Sequence, residues 1–281
     1  MSSINSETYT IPDFSNPETL DLSTIQNAPL GQKPTSYYKP TVYMLPDKVI
    51  KGPFQDHQKN RVMLLLLYFR HHVFSKVWKS KVSGPFTLLK SGSNFYISMD
   101  LLKSKINNVV KSSEPVDILG NKKARIIDKE SMGIQELPKY FDSVIKSESN
   151  NVIIRDSLFH MIHRFIIDPI VGDNPLRNIL VVDSEYSVGI DYDCLQVDQN
   201  PDESQSLWVL LSGGKTWAKK YLEIFKEYIL LNKQELIDHL DFLENTLIND
   251  IPDIVVKFGL LKVVDLNKSL KRLRLVRTKI V

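Results

Sequence analysis

At 281 residues, with 42% hydrophobic and 25% charged side chains, the chain has the make-up of an ordinary globular protein and can bury a sizeable core. Its 36 basic and 33 acidic residues leave a net charge of +3, too small by itself to demand a polyanionic partner. The single cysteine, Cys194, excludes an intrachain disulfide framework and points to a reducing compartment.

Residues 1–30 are rich in Ser, Thr, Asn and Pro with little periodicity, so a loosely held arm is expected there. Thr41 to Leu45 and Lys48 to Lys51 read as strands around a Pro46-Asp47 turn. A helix is expected from Gln55 to about Trp78, too apolar in its middle to be a surface helix. Phe86 to Leu89 and Asn94 to Met99 read as a hairpin around Ser91-Gly92-Ser93, and Ala124 to Ile127 as a further strand. Ile134 to Lys146 and Val152 to Ile167 carry helical spacing, as does the stretch from Leu207 to Asn249. A strand-rich first half followed by a helix-rich second half implies an α+β protein of two lobes. The longest apolar run, Val62 to Phe69, is far shorter than the ~20 residues a membrane helix needs. Met1 to Glu7 lacks the pattern of a signal peptide. The expectation is an intracellular protein, cytoplasmic or nuclear, with no membrane span.

The stretch that carries chemistry runs from Gly172 to Asp193. Asp173 opens a polar loop, Asn178 follows five residues later, and Ile179 to Val182 is a short apolar strand. After a turn at Asp183-Ser184-Glu185, Val188-Gly189-Ile190 delivers Asp191, with Asp193 just beyond. A hairpin of this kind sets oxygen-bearing side chains at its ends. Phosphoryl transfer needs that arrangement: one carboxylate near the acceptor hydroxyl, and an Asn and an Asp to hold Mg²⁺ on the phosphates. Taken singly, each of these residues is also a common turn or capping residue.

Phe165-Ile-Ile-Asp-Pro-Ile-Val-Gly-Asp173-Asn-Pro-Leu-Arg-Asn178-Ile-Leu, followed by Gly189-Ile-Asp191, resembles the catalytic and metal loops of the phosphatidylinositol 3-/4-kinases and related atypical kinases. It is similar as well to the aminoglycoside and choline phosphotransferases, all of the protein-kinase-like superfamily. The specific match covers about thirty residues. The resemblance implies a bilobal protein-kinase-like fold: a strand-rich N-terminal lobe over 31–132 and a helical C-terminal lobe over 133–281, with ATP and Mg²⁺ between them. It implies Asp173 as the catalytic carboxylate and Asn178 and Asp191 as metal ligands. Asp193, where protein and lipid kinases carry Gly, would either assist the metal or face solvent. Asn174-Pro175 stands where the lipid kinases carry Arg-His, which turns the expected acceptor toward protein Ser/Thr. Val171 replaces a His common in the aminoglycoside enzymes.

Upstream, Lys51 would point to the strand face opposite Ile50, where a kinase places the Lys that contacts the α- and β-phosphates. The helix after it contains no Glu to pair with that Lys. Gly31 is the only glycine before Gly52, so the phosphate cradle would rest on Pro29 to Lys33. These two departures make a pseudokinase, the same fold used as a binding module, the first alternative. Ser212-Gly213-Gly214-Lys215-Thr216 imitates a Walker A loop, but Val209 stands where its first Gly is required.

Two basic runs motivate a third alternative, nucleic-acid binding, or more broadly an anionic or protein partner. Lys59, Arg61, Arg70, Lys76, Lys79, Lys81 and Lys90 lie between His57 and Met99 with no acid among them. Lys268, Lys271, Arg272, Arg274, Arg277 and Lys279 close the chain. The six histidines show no zinc spacing, and His160 and His163 are expected to be packed or surface residues.

Overall fold

The structure is a computed structural model that describes residues 9–31, 40–102, 112–118, 122–127, 134–144, 151–167, 176, 178–183, 186–190 and 219–280. It is an α+β protein with a mixed five-stranded sheet and a helix in its N-terminal half, and a mostly helical C-terminal region.

The sheet has the order β1-β4-β5-β3-β2, with β1 Glu18–Thr19, β2 Thr41–Met44, β3 Lys48–Gln55, β4 Thr87–Ser91 and β5 Asn94–Asp100. Only the β1–β4 pair is parallel. The β3–β5 ladder skips Gly52-Pro53, where proline has no N–H to give, and resumes at Phe54 opposite Phe95. Alternation gives the sheet two different faces. On the inner face Val42, Lys51, Ile97 and Leu88 stand in one cross-strand row, and Val49 pairs with Met99 in the next.

Helix α2, Gln58–His72, follows β3, after a short α1 at Ser23–Gln26. His57 caps it by accepting from the Asn60 N–H at 3.2 Å. Leu64 and Leu67 of α2 bury against the inner-face residues Phe95, Ile97 and Leu88. The last turn, Val73–Val77, widens into a π-helical turn, and Lys79, at φ 57, ends it while the Ser80 N–H returns to the Phe74 carbonyl.

The outer face is covered by the N-terminal stretch. Leu20 and Ile25 pack with Ile50, Leu89 and Tyr96. Ahead of Leu20 the chain reaches the other side: Phe14 meets the inner-face Phe95 edge-on, Tyr9 lies on His72 of α2 with ring centroids 4.8 Å apart, and Lys257 Nζ sits 4.1 Å from the Tyr9 ring centre. Read from composition as a loose arm, this stretch is from Tyr9 to Gly31 a fitted cover. Ile25 is 4% exposed, so Ile25→Ala should cost about 2–3 kcal/mol in urea unfolding. A cost near zero would mean that the arm does not hold the sheet.

After β5 come the hairpin β6 Ser112–Ile118 and β7 Lys122–Ile127, then β8 Gln135–Glu136 and α3 Leu137–Val144. Helix α4, Asn151–Ile167, has residues such as Ile153, Leu158, His160, Met161, Arg164 and Ile166 buried on several sides, which makes it the central helix. Strands β9 Ile179–Asp183 and β10 Tyr186–Gly189 form a sheet of order β10-β9-β8. Helices α5 Lys219–Leu231, α6 Lys233–Asn249, α7 Ile251–Lys257 and α8 Leu266–Ile280 complete the chain, with α8 packed on α6 and α4. Among the described residues no helix is long and apolar enough to cross a membrane.

Candidate functional site

Lys51 lies in the middle of β3, on the face opposite Ile50, as the alternation of the strand requires. It is half-buried and in register with Val42 on one side and Ile97 on the other. Helix α2 therefore packs on the same face of the sheet as Lys51. It brings no carboxylate there, since Gln58 to His72 contains no acid.

Gly31 borders β2. Its N–H bonds to the Val42 carbonyl at 2.9 Å, and the Met44 N–H bonds to the Pro29 carbonyl at 2.8 Å. A Cβ at Gly31 would press against Val42 Cγ1 at 2.9 Å and Met44 Sδ at 3.0 Å, so glycine fits the approach to the strand. Residues 32–39, which would continue a phosphate-cradling loop, lie outside the described residues.

At the far end of the inner face the two halves of the molecule meet. Met44 and Val49 of the sheet, with Leu101 and Leu102 just past β5, pack with Ile134, Leu180 and Ile190. Leu180 belongs to β9, and Ile190 follows β10. An apolar bed thus joins the Lys51 sheet to the hairpin that bears the candidate metal residues.

Asn178 is 8% exposed and stands directly before β9. Its carbonyl accepts from the Ile190 N–H at 2.8 Å, extending the ladder in which Gly189 faces Ile179. The pairing sets Asn178 across from Ile190, one residue short of Asp191. Asp173, Asp191 and Asp193 lie outside the described residues, as do Cys194 and the stretch from Ser212 to Thr216.

Three contacts fix the end of this hairpin. Gly189 forms a parallel bridge with Val82: its N–H bonds to the Lys81 carbonyl and its carbonyl accepts from the Ser83 N–H, each at 2.9 Å. Arg164, 4% exposed on α4, donates to the Ile190 carbonyl at 3.2 Å. The His160 ring lies flat against Gly189, in the space a Cβ would fill. Both ring nitrogens of His160 are buried without a hydrogen-bond partner.

His160 belongs to a histidine cluster that sequence spacing did not foretell. His163 Nε2 meets His239 Nε2 of α6 at 2.7 Å, and His163 Nδ1 meets Ser80 Oγ. Phe159 stacks on His239, and Phe74 and Trp78 close the cluster. Loss of hydration pushes the His160 imidazole down to about 3 and His239 down to about 4, and drives His163 well below its ordinary value. His71, bonded to the Ser83 carbonyl, is lowered by burial to about 4. Among the described residues no group of three or more His, Cys, Asp or Glu side chains is placed to hold a metal ion.

Several members of the basic runs have intramolecular partners. Asp56, just ahead of the first run, takes Arg61 at 2.7 Å and Lys90 at 3.3 Å, and the Arg61 hydrogen bond holds its carboxyl below the usual range. Lys81 pairs with Asp156 at 2.8 Å, and Arg70 is buried. In the C-terminal run, Arg277 pairs with Asp241 at 2.6 Å and Glu244 at 3.2 Å, Arg274 approaches Glu244 at 3.7 Å, and Arg272 donates to the Ile166 carbonyl. No protein-family model matches this chain, and no curated protein matches it significantly.

Proposed function

We propose that this chain is an ATP- and Mg²⁺-dependent phosphotransferase of protein-kinase-like build, moving a γ-phosphoryl group to a hydroxyl, with protein Ser/Thr as the acceptor class. One observation carries the reading. The face that presents Lys51 continues into an apolar bed shared with β9 and Ile190, and the same hairpin sets Asn178 beside the approach to Asp191. Met44, Val49, Leu101 and Leu180 would supply the apolar side of a nucleobase seat, which needs a few polar groups at its rim. Lys51, two residues from Val49 on the same face, would then contact the α- and β-phosphates. Asn178 and Asp191 would hold Mg²⁺, with Asp193 assisting, and Asp173 would orient the acceptor hydroxyl and take its proton. Gly31 would open the loop over the phosphates. With so little covalent chemistry asked of the protein, its contribution is positioning and charge neutralisation.

The test is calorimetric titration of ATP with and without Mg²⁺ on the native chain, Lys51→Met and Asp191→Ala. The expected result is Mg²⁺-dependent binding that Asp191→Ala abolishes. In an assay with a protein acceptor, Lys51→Met should lower kcat/KM by about 100-fold or more. No nucleotide binding by the native chain would overturn the reading.

The absence of any acid from α2 favours a second reading, a pseudokinase. It predicts nucleotide binding, or none, without turnover on any acceptor, and a retained interaction function in Asp173→Asn.

A further inference from the structure

The turn between α7 and α8 presents an amphiphilic tip. Along Val256-Lys257-Phe258-Gly259-Leu260-Leu261-Lys262 the side chains divide sharply. Phe258 and Leu260 turn inward, at 2% and 1% exposure, and anchor the turn to the main core. Val256 and Leu261 turn outward, at 56% and 67% exposure, each followed in the chain by an exposed lysine, Lys257 and Lys262. Gly259, at φ +68, makes the turn, and a Cβ there would meet nothing within 4 Å, so the tip is open. A turn held by two buried neighbours leaves its outward positions free to be polar, yet two of them are large aliphatic residues.

The charge around the tip has one dominant sign. Lys257, Lys262, Lys268 and Lys271 are exposed there, Lys257 with its Nζ over the Tyr9 ring and Lys268 with its Nζ 4.0 Å from the Asp265 carboxylate. Of the acids on the same segment, Asp253 is exposed, and Asp265 is engaged as the cap of α8, accepting from the Lys268 N–H at 3.1 Å. Aliphatic side chains ringed by lysines on a convex turn match the boundary of an anionic bilayer, where the apolar groups enter the acyl region and the ammonium groups stay among the headgroups. A peptide partner would call for a concave seat, which an outward turn does not offer. We infer that the α7–α8 tip, through Val256, Leu261, Lys257 and Lys262, is a docking site for an anionic lipid surface. The inference is independent of phosphoryl transfer.

The experiment is co-sedimentation of the full chain with vesicles of phosphatidylcholine alone and of equimolar phosphatidylcholine and phosphatidylserine, at low and at moderate salt. Binding is expected only to the anionic vesicles and should weaken as salt rises. Lys262→Ala should weaken it roughly fivefold, the share of one lysine near such a surface, and Leu261→Asp with Lys262→Glu should weaken it by about tenfold or more. Both side chains face solvent, so the thermal unfolding of these variants should match the native chain. The inference is overturned if the native chain stays in the supernatant at low salt, or if the double variant binds as the native chain does. It is overturned equally if Leu261→Asp instead dissolves a self-associated species in sedimentation velocity, which would make the tip a contact between copies.

Discussion

Lowering the pH from 7 to 5 should bring this protein close to unfolding. His160 and His163 are fully buried and His71 and His239 largely so, and burial holds all four neutral in the folded state, with His71 and His239 at about 4 and His160 at about 3. The unfolded chain takes up a proton at each imidazole near pH 6.5. Between that pH and the folded values the unfolded state therefore binds more protons, so stability falls as pH falls. It is complete above about pH 6.5 and declines until the folded imidazoles themselves titrate. Each fully buried histidine contributes a slope of about 1.4 kcal/mol per pH unit, and the two partly exposed ones contribute less. At pH 5 the combined loss is on the order of several kcal/mol, against a total stability of roughly 5–15 kcal/mol for a typical domain. The groups facing the cluster do not offset it, because Ser80 is neutral and Arg164 lies near as a like charge. The check is a series of urea melts from pH 8 to pH 5. In His160→Leu, which loses two unpartnered ring nitrogens, the pH slope should shrink by about one proton. A midpoint that stays constant from pH 7 to pH 5 would disprove the argument.

Gly189→Ala should be strongly damaging, since among the described glycines Gly189 leaves the least room for a methyl. The added carbon would overlap the His160 ring, and that ring has nowhere to go, with Phe74 beside it and helix α4 behind it. Either β10 moves outward or the ring is expelled, at about 1–3 kcal/mol or more for overpacking. Outward movement would break the two bonds to Lys81 and Ser83 and displace Ile190. If the phosphotransferase reading holds, Mg²⁺-ATP affinity should drop with it, because Asp191 is the next residue. The decisive comparison is a double-mutant cycle. His160→Ala alone should destabilise, yet in the Gly189→Ala background it should restore stability, with a coupling energy above about 1 kcal/mol. Additive losses would mean that the two residues do not share that space.

Local pattern carried much of this fold. Thr41 to Met44 and Lys48 to Lys51 form their expected strands because their alternation matches the two faces of a sheet, and the same period sets Lys51 on the side away from Ile50. The ladder between Asn178 and Ile190 was legible for the same reason: two short apolar runs around a polar turn can pair in few ways. What escaped was non-local. His163 meets a serine 83 residues earlier and a histidine 76 residues later, distances at which no spacing rule operates. The basic runs seemed unopposed because their partners Asp156, Asp241 and Glu244 come from other elements. The N-terminal stretch misled through composition, since a few buried apolar side chains, Leu20, Ile25 and Leu30, suffice to pin it down among many exposed polar ones.

That stretch also settles how the large sheet ends. A strand at a sheet border offers a row of unused amide and carbonyl groups to any passing chain. Here β1, only two residues long, lies along β4, and the Leu20 N–H takes the Lys90 carbonyl beyond it. At the opposite border Pro29 to Gly31 lies along β2, where proline brings no donor and glycine no side chain. One continuous piece of chain crosses the outer face and closes both borders, so neither β4 nor β2 is left as a long template for aggregation.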